Sequence, residues 1–369
     1  MRWQGAHLTY CLNIHPGETW EENLAAIRTY ASQVKRRVSP EAPFGLGLRL
    51  SARGASELRG RVESFRDSFA GAGMYVFTIN GFPYGRFHGT RVKEDVYLPD
   101  WSAPERLAYT ENLASVLAEL LPEGVSGSIS TVPVAYGKTL AEDAVENILA
   151  AGGALARLEA ETGKRVSLAL EPEPDCLIET TDEAIRFWEK LRSRADAEQL
   201  GHLGICVDTC HAAVNFEDPA EAIRRLASAR IPVPKIQISS ALVVPRGADA
   251  ARLLAPFTDE VYLHQTRVLS DAGLERFPDL PDALRAAPEG EWRVHFHVPL
   301  HFTGDGGLGS TAAFLDDGFF AEALAPGRHL EIETYSFDVL PGPGGDVVES
   351  IASEFAWLFE RGRTGDAVG

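Results

Sequence analysis

The chain has 369 residues, of which 53 are acidic and 35 are basic, so its formal net charge is −18. Its 45% hydrophobic and 24% charged residues are typical of a globular protein and exclude a disordered, collagen-like or disulfide-rich chain. Because this charge repels polyphosphate, we expect no nucleic-acid partner.

Short apolar segments recur along the chain, and most of the segments between them have helical periodicity. Runs such as VSLAL and LGICV are apolar without alternation, as expected for strands buried on both faces of a parallel sheet. Eight such strands predict an α/β protein with a (β/α)₈ TIM barrel, although a doubly wound open sheet would show the same alternation. The predicted strands are 7–12, 44–50, 75–79, 127–132, 166–170, 203–207, 235–238 and 330–334.

The helix starts are marked by capping signals. Capping-box spacing occurs at Thr19 with Glu22, Ser102 with Glu105, and Thr180 with Glu183, and Asp218 precedes a proline. We predict a single domain over 1–369, with long loop insertions at about 80–101 and 241–309 and a loose tail at about 361–369. The glycine-rich stretch 342–345 is interpreted as a plain loop.

The four cysteines do not make a disulfide framework in a chain of this length. Without a signal-peptide pattern or an apolar run of about 18 residues, we expect a cytoplasmic protein with no membrane insertion. The oligomeric state is left open. Cys206 and Cys210 are expected to pack as small hydrophobic residues rather than to bind metal.

Candidate site residues were sought at the strand ends, where TIM barrels place their active sites. Carboxylates follow three of the apolar runs, and histidines cluster late in the chain. Imidazoles and carboxylates are ligands of Zn²⁺ or Mn²⁺, and buried carboxylates repel one another without a cation. We therefore predict a divalent metal, Zn²⁺ or Mn²⁺ before others. The candidate ligands are Glu171, Asp208, His211, His295, His297 and Glu333.

Each candidate has a structural alternative. Asp208 could cap the next helix, and an isolated histidine is often structural. Glu173 and Glu331 lie two residues from a favoured carboxylate, so each could be a layer residue or a second ligand. The aromatic residues of 80–101 could pack within the loop or form a platform for the apolar face of a sugar or an aromatic ligand. Asn80, His88 and His301 are candidates for binding a small-molecule metabolite.

The stretch VDTCH, with the strand ends ALE and IET, resembles the xylose isomerase-like TIM barrels, which include sugar isomerases, epimerases and endonuclease IV-type nucleases. The resemblance covers most of the chain. It implies that Glu171, Asp208 and Glu333 occupy the strand-end metal-ligand positions. His211 matches an additional histidine of the nuclease branch, and His295 with His297 replaces an aspartate-x-histidine pair.

Two further features qualify this resemblance. The segment KIQISS has Gln237 where the superfamily has a ligand histidine, so Gln237 is a weaker metal ligand or a substrate contact. The segments HLTYCLNIHPGETW and NGFPYGRFHG resemble the EboE family of metabolite traffic proteins, which implies a secondary-metabolite pathway but no particular reaction.

The leading functional hypothesis is a metal-dependent enzyme that isomerises or epimerises a small polyhydroxy or carbonyl metabolite. The metal would polarise a carbonyl while Glu171 or Glu333 moves the proton. The alternatives are metal-assisted hydrolysis of a phosphoester and a barrel that binds or carries a metabolite without turnover.

Overall fold

A computed structural model of the chain describes residues 1–89, 91–304, 306–341 and 345–362. All eight predicted strands are present within a few residues of their expected ends. Among the described residues the strands are β1 Arg2–Trp3, β2 Ala6–Tyr10, β3 Phe44–Arg49, β4 Met74–Asn80, β5 Gly127–Thr131, β6 Val166–Leu170, β7 Leu203–Asp208, β8 Lys235–Ile238, β9 Leu242–Val244, β10 Thr266–Ser270, β11 Gly273–Phe277, β12 Glu291–Val294, β13 Gly309–Ser310 and β14 His329–Ile332.

Eight of these strands form a nearly closed parallel barrel in the order β2, β14, β8, β7, β6, β5, β4, β3. The two end strands approach through a parallel bridge between Cys11 and Gly47. The Thr9 hydroxyl also donates to the Gly45 carbonyl at 2.8 Å. The predicted TIM barrel is therefore confirmed, and the open-sheet alternative is wrong.

Helices surround the barrel and follow most of its strands. They are α1 Trp20–Ala26, α2 Ser32–Val38, α3 Ala52–Leu58, α4 Val62–Gly71, α5 Pro104–Leu120, α6 Glu142–Thr162, α7 Thr181–Arg192, α8 Ala197–Gly201, α9 Thr209–Val214, α10 Pro219–Ser228, α11 Ala250–Leu254, α12 Leu280–Ala286, α13 Asp317–Ala323 and α14 Val347–Arg361.

Most of the predicted helix starts are confirmed. The capping boxes of α1 and α7 are formed, and the aspartate cap of α10 is present. The prediction for Ser102 is wrong, because its hydroxyl donates to Asp100 Oδ1 at 2.5 Å and Ala103 takes the N-cap position. Pro104 then begins α5, where its fixed φ suits the first helical turn.

The segment after β8, expected to be a long loop, instead folds into an antiparallel sheet in the order β11, β10, β12, β9, β13. It has its own apolar cluster, which includes Val268, Trp292, Val294 and Phe296. β10 and β12 pair antiparallel with Val268 opposite Trp292 and Thr266 opposite Val294, so these four buried side chains lie on one face of the sheet. The segment holds the two candidate histidines of 295–297 beside the barrel.

Arg267 of β10 joins this sheet to the loop that follows β6. Its side chain is fully buried, and Nη2 donates to Asp175 Oδ1 at 2.7 Å and to Glu179 Oε1 at 2.8 Å. Arg276 lies on the same side but is half exposed, with Nε 3.7 Å from Glu179.

We expect Arg267→Met to lower the free energy of unfolding by about 3 kcal/mol, because it leaves two carboxylates without their buried partner. Urea unfolding measures this loss. Arg276→Met is the matched control and should change stability by less than about 1 kcal/mol. Equal losses in the two variants would contradict the role assigned to Arg267.

Several predictions concern features beyond these elements. Among the described helices, none has the length and hydropathy needed to cross a bilayer. The cytoplasmic location and the single domain over 1–369 stay predictions. Only residues 361 and 362 of the predicted tail are described, where α14 ends. Residues 363–369 and positions 342–344 of the glycine-rich loop lie outside the described residues.

Candidate metal centre and active site

Three buried carboxylates meet at the carboxyl end of the barrel. Asp208 ends β7, while Glu171 and Glu333 directly follow β6 and β14. One oxygen of each lies within 4.8 Å of the other two. Asp208 Oδ1 accepts hydrogen bonds from the His211 amide at 2.9 Å and from Ser239 Oγ at 2.7 Å. Asp208 thus caps α9 while lying in the cluster, so the helix-capping alternative and a site role are compatible.

Glu333 is held by two asparagines. Its Oε1 accepts from Asn13 Nδ2 at 2.6 Å and from Asn80 Nδ2 at 3.0 Å. Asn80 Oδ1 accepts the Phe82 amide at 3.1 Å, so both ends of the Asn80 side chain are engaged within the protein. Asn80 was predicted to bind substrate, and the structure places it beside Glu333 in the cleft. Asn13 was not predicted, because nothing in its sequence position marks a contact with a residue 320 positions away.

Three imidazoles converge next to the carboxylates. His295 Nε2 lies 3.1 Å from His211 Nε2 and 3.2 Å from His297 Nε2. The Nδ1 atoms of His211 and His297 lie 2.9 and 3.0 Å from the carbonyl oxygens of Pro172 and Glu333. Because a carbonyl only accepts, each Nδ1 carries the hydrogen, and in the neutral ring Nε2 presents a lone pair to the centre.

His295 is oriented by Gln265. The Gln265 Nε2 donates to the Pro174 carbonyl at 3.2 Å and to Tyr97 Oη at 3.0 Å, which fixes the amide orientation. Its Oε1 therefore accepts from His295 Nδ1 at 2.6 Å. In their neutral forms the three rings therefore turn Nε2 toward one another, an arrangement that suits a cation between them. Partners on the outer nitrogen are typical of histidines that bind metal.

The pKa shifts of His211, His295 and His297 indicate which of the three rings would carry an extra proton in the metal-free protein. Burial lowers the pKa of His295 well below its usual value and that of His297 to about 4. Burial also opposes a charged His211, but nearby carboxylates, Asp208 foremost, outweigh it and raise its pKa. A proton on His211 would then occupy the centre until a metal ion displaces it.

The carboxylates show the complementary pattern. Burial raises the pKa of Glu171 to about 8. The positive charge of His211 opposes this shift, and the negative charge of Asp208 adds to it. Burial and the neighbouring Glu171 raise that of Glu333 well above its usual value. Burial would also raise the pKa of Asp208, but His211 and His297 lower it. Burial and mutual repulsion thus favour the protonated forms of Glu171 and Glu333, and a bound cation would relieve that repulsion.

Unpartnered oxygens are consistent with a bound cation. Glu171 Oε2 and Asp208 Oδ2 are buried and accept no hydrogen bond from the described residues. Gln237 on β8 pairs in register with Asp208, and neither atom of its buried amide has a partner there. Oxygen and imidazole nitrogen donors fit Zn²⁺ or Mn²⁺. Gln237 is not among the described residues that line the cleft, so its role as a metal ligand or substrate contact stays a prediction.

The other two residues predicted to contact substrate, His88 and His301, do not lie among the candidate metal ligands. His88 has both ring nitrogens engaged, with Nδ1 2.8 Å from Tyr262 Oη and Nε2 against the Asn13 carbonyl. It therefore supports Asn13 and is not free to bind metal. His301 is exposed, and it is not among the described residues that line the cleft above the carboxylates.

Glu331 and Glu173, for which the sequence allowed either a layer position or a ligand role, occupy different parts of the structure. Glu331 lies deeper in the barrel and pairs with Lys235 Nζ at 2.5 Å, both side chains being fully buried. It is a layer residue. Glu173 instead joins the site, because one of its oxygens lies within 4.8 Å of ring nitrogens of His211 and His295. Its Oε1 accepts from Tyr97 Oη at 2.7 Å.

The cysteines are buried as predicted. Cys210 packs with Val214 and Ala241, but its Sγ also lies within 4.8 Å of ring nitrogens of His295 and His297. Burial among carboxylates raises the pKa of both Cys206 and Cys210 well above the usual value, with burial the largest cause. The prediction that neither cysteine binds metal therefore stays a prediction for Cys210.

We expect Gln265→Leu to weaken Zn²⁺ binding at the imidazoles by about 10- to 100-fold, because His295 loses the partner that sets its ring orientation. Titration against a competing chelator measures the change. Gln199→Leu is the control, since Gln199 donates to the Leu149 carbonyl away from the site. Wild-type affinity in Gln265→Leu would contradict the assigned role.

The polar cluster forms the floor of a cleft at the carboxyl end of the barrel. Three of the predicted platform aromatics line it, namely Phe82, Phe87 and Tyr97. Trp101 is instead fully buried.

No protein-family model and no curated protein matches the chain, so the resemblance to the EboE family stays a prediction. Solved structures do match over nearly the whole chain. A xylose isomerase-like TIM-barrel protein from Mycobacterium smegmatis in complex with magnesium is 13% identical, with 99% of each chain covered and a TM-score of 0.54. An L-ribulose 3-epimerase is 13% identical, with 98% of this chain and 95% of that chain covered and a TM-score of 0.52. The IolI protein with a bound zinc atom is 10% identical, with 97% and 98% covered and a TM-score of 0.51. At these identities the likeness concerns the fold: the chain folds as a xylose isomerase-like TIM barrel.

Proposed function

We propose that this protein is a metal-dependent enzyme that isomerises or epimerises a small hydroxylated carbonyl compound. The observation that carries the proposal is the convergence of Glu171, Asp208 and Glu333 within 4.8 Å beside three inward-facing imidazoles, at the floor of a cleft. Buried carboxylates and imidazoles in this arrangement suit a divalent cation, Zn²⁺ or Mn²⁺.

A bound divalent cation would polarise a carbonyl and its neighbouring hydroxyl and so stabilise an ene-diolate. Glu171 has an oxygen without a partner. Once a bound cation has displaced the proton that burial favours on Glu171, this oxygen can accept a proton from the carbon next to the carbonyl. Glu333, held by Asn13 and Asn80, returns a proton to the neighbouring carbon or to the other face. One proton leaves the substrate and one returns while the electron pair stays with it, so the reaction needs no oxidant. Glu171 and Glu333 regain their starting protonation states by exchange with solvent.

The names of similar structures agree with this substrate class. They include L-ribulose 3-epimerase, a D-tagatose 3-epimerase-like protein and a probable 3-DHS dehydratase, each with the same fold. The pathway rests on the sequence alone, where the resemblance to the EboE family favours a role in the traffic of secondary-metabolite precursors.

The test is deuterium exchange. Protein purified without chelator is analysed for metal, then incubated in D₂O with a panel of ketoses and hydroxyketones and followed by proton NMR. Metal-dependent exchange of the hydrogen next to the carbonyl is expected, and Glu171→Gln should abolish it. Glu57→Gln, which alters a carboxylate bonded to the Trp20 amide away from the site, should exchange like wild type. A metal-loaded protein that exchanges no hydrogen from any compound would contradict the proposal.

Metal-assisted phosphoester hydrolysis is a second candidate. The observation in its favour is that Asp208, His211 and His297 form a ligand group beside the carboxylates, so a second ion could activate water. Metal-dependent release of phosphate from a phosphoester panel, without hydrogen exchange, would favour hydrolysis. Retention of an unchanged metabolite would instead favour a carrier.

A further inference from the structure

The walls of the cleft differ in chemistry from its floor. Two insertions beyond the minimal barrel supply most of these walls: Phe82, Pro83, Phe87, Val92, Val96 and Tyr97 come from the first, and Tyr262 and Leu263 from the second. Tyr335, after β14, completes them. Both insertions thus place apolar side chains over the carboxylates and imidazoles.

The insertions are joined, so these walls form one packed surface. The amides of Val92 and Lys93 donate to the Val261 carbonyl at 3.0 and 3.1 Å. The ring of Phe87 lies 5.1 Å from that of Tyr262 and 5.3 Å from that of Tyr335, measured between centroids. The roof cluster, consisting of Phe87, Val92, Tyr262 and Tyr335, is therefore preformed and does not need a ligand to assemble it.

Much of the polar capacity of the walls is already used within the protein. Tyr262 Oη lies 2.8 Å from His88 Nδ1, and Tyr97 Oη donates to Glu173. Lys93 Nζ is paired with Asp279 Oδ2 at 2.7 Å. Among the described lining residues, Lys93 is the only lysine or arginine, so the walls offer no unpaired cation for a phosphate away from the floor. With so few donors left, the walls mostly present carbon to a ligand.

We propose that the ligand is amphiphilic, with a carbonyl and an adjacent hydroxyl at the floor and a flat apolar ring, aromatic or conjugated, against the roof cluster. The position of the oxygenated head rests on the proposed function, whereas the apolar body rests on the walls alone. A sugar would offer these walls only the C–H face of its ring, whereas an aromatic or conjugated ring would cover more of them and displace more water.

The test uses acetohydroxamate and benzohydroxamate, which share a metal-binding head and differ in a methyl or phenyl body. Calorimetry on the zinc-loaded full chain gives the two affinities, and free Zn²⁺ in the same buffer gives the reference ratio. We expect the ratio of benzohydroxamate affinity to acetohydroxamate affinity to be at least about tenfold larger on the protein than on free Zn²⁺. Phe87→Ala should remove most of this preference.

Further variants distinguish a loss of contact with the apolar walls from a loss of folding. Val96→Thr replaces a methyl group of the wall with a hydroxyl of similar size and should reduce the preference without opening a cavity. Phe314→Ala alters an exposed ring that stacks on Arg293 away from the cleft and should leave it unchanged. A preference equal to the reference ratio in metal-loaded wild type would overturn the inference and leave the proposed function intact.

A protein that holds no metal would overturn the proposed function and still test the apolar walls. Saturation-transfer NMR with benzamide and acetamide, which need no metal, then measures contact with the protein. Saturation of benzamide alone, lost in Phe87→Ala, would support the inference. Equal signals from the two amides, or none from benzamide, would overturn it.

Discussion

Asp208→Asn is expected to remove metal from both ligand groups at once. Asp208 belongs to the group with Glu171 and Glu333 and also to the group with His211 and His297. Asparagine keeps the shape and the helix-capping oxygen but loses the negative charge. We expect less than about a tenth of the wild-type metal content by elemental analysis, and loss of the metal-dependent hydrogen exchange.

Asp218→Asn is the matched control. Asp218 caps α10 through the Glu221 amide at 2.8 Å and lies outside both ligand groups, so the same exchange should leave the metal content unchanged. Circular dichroism and urea unfolding of the two variants separate loss of metal from loss of fold. Full metal occupancy in Asp208→Asn would rule out the shared-ligand position.

The barrel was predictable because its signals are local. Each strand is a continuous apolar run, and burial on both faces leaves no other common explanation for eight such runs between helices. The strand-end carboxylates were equally accessible, since a parallel barrel brings all carboxyl ends to one face. Glu171, Asp208 and Glu333, which are 37 to 162 positions apart, could therefore be grouped from the sequence.

What the sequence concealed depends on long-range pairing. Gln265 contacts His295 only because β10 and β12 pair antiparallel, and no spacing rule predicts that register. Asn13 reaches Glu333 because β2, near the start of the chain, pairs with β14, near its end. Glu173 and Glu331 each lie two residues from a favoured carboxylate. Yet Glu331 forms an ion pair with Lys235, whereas Glu173 lies beside the imidazoles of His211 and His295. A partner distant in sequence decides each role.

The cluster also implies a conflict between stability and binding. Burying three carboxylates within 4.8 Å disfavours their charged state, and the raised pKa values of Glu171 and Glu333 favour protons on these two. A metal ion bound there would replace those protons, so its affinity should rise with pH. A variant without one carboxylate should then be more stable empty and less stabilised by metal.

Glu171→Gln is expected to show this reversal. The pKa of Glu171 is raised by burial from 4.5 to about 8, so between these pH values the folded state holds a proton that the unfolded state has released. Unfolding stability therefore falls as pH rises through this window in the metal-free wild type. Glutamine does not titrate, so the metal-free variant should lose less stability than wild type as the pH rises. At pH 8 its free energy of unfolding should therefore be the higher of the two.

Urea unfolding at pH 5, 6.5 and 8, with chelator and with excess Zn²⁺, measures both halves of the prediction. Zinc adds stability in proportion to the logarithm of its concentration over the dissociation constant, so wild type should gain more than the variant and the order should invert. Glu57→Gln, whose carboxylate is remote from the site, should follow wild type in both conditions. If Glu171→Gln is the less stable protein at pH 8 both with chelator and with zinc, Glu171 is a structural acid and the metal belongs to other ligands.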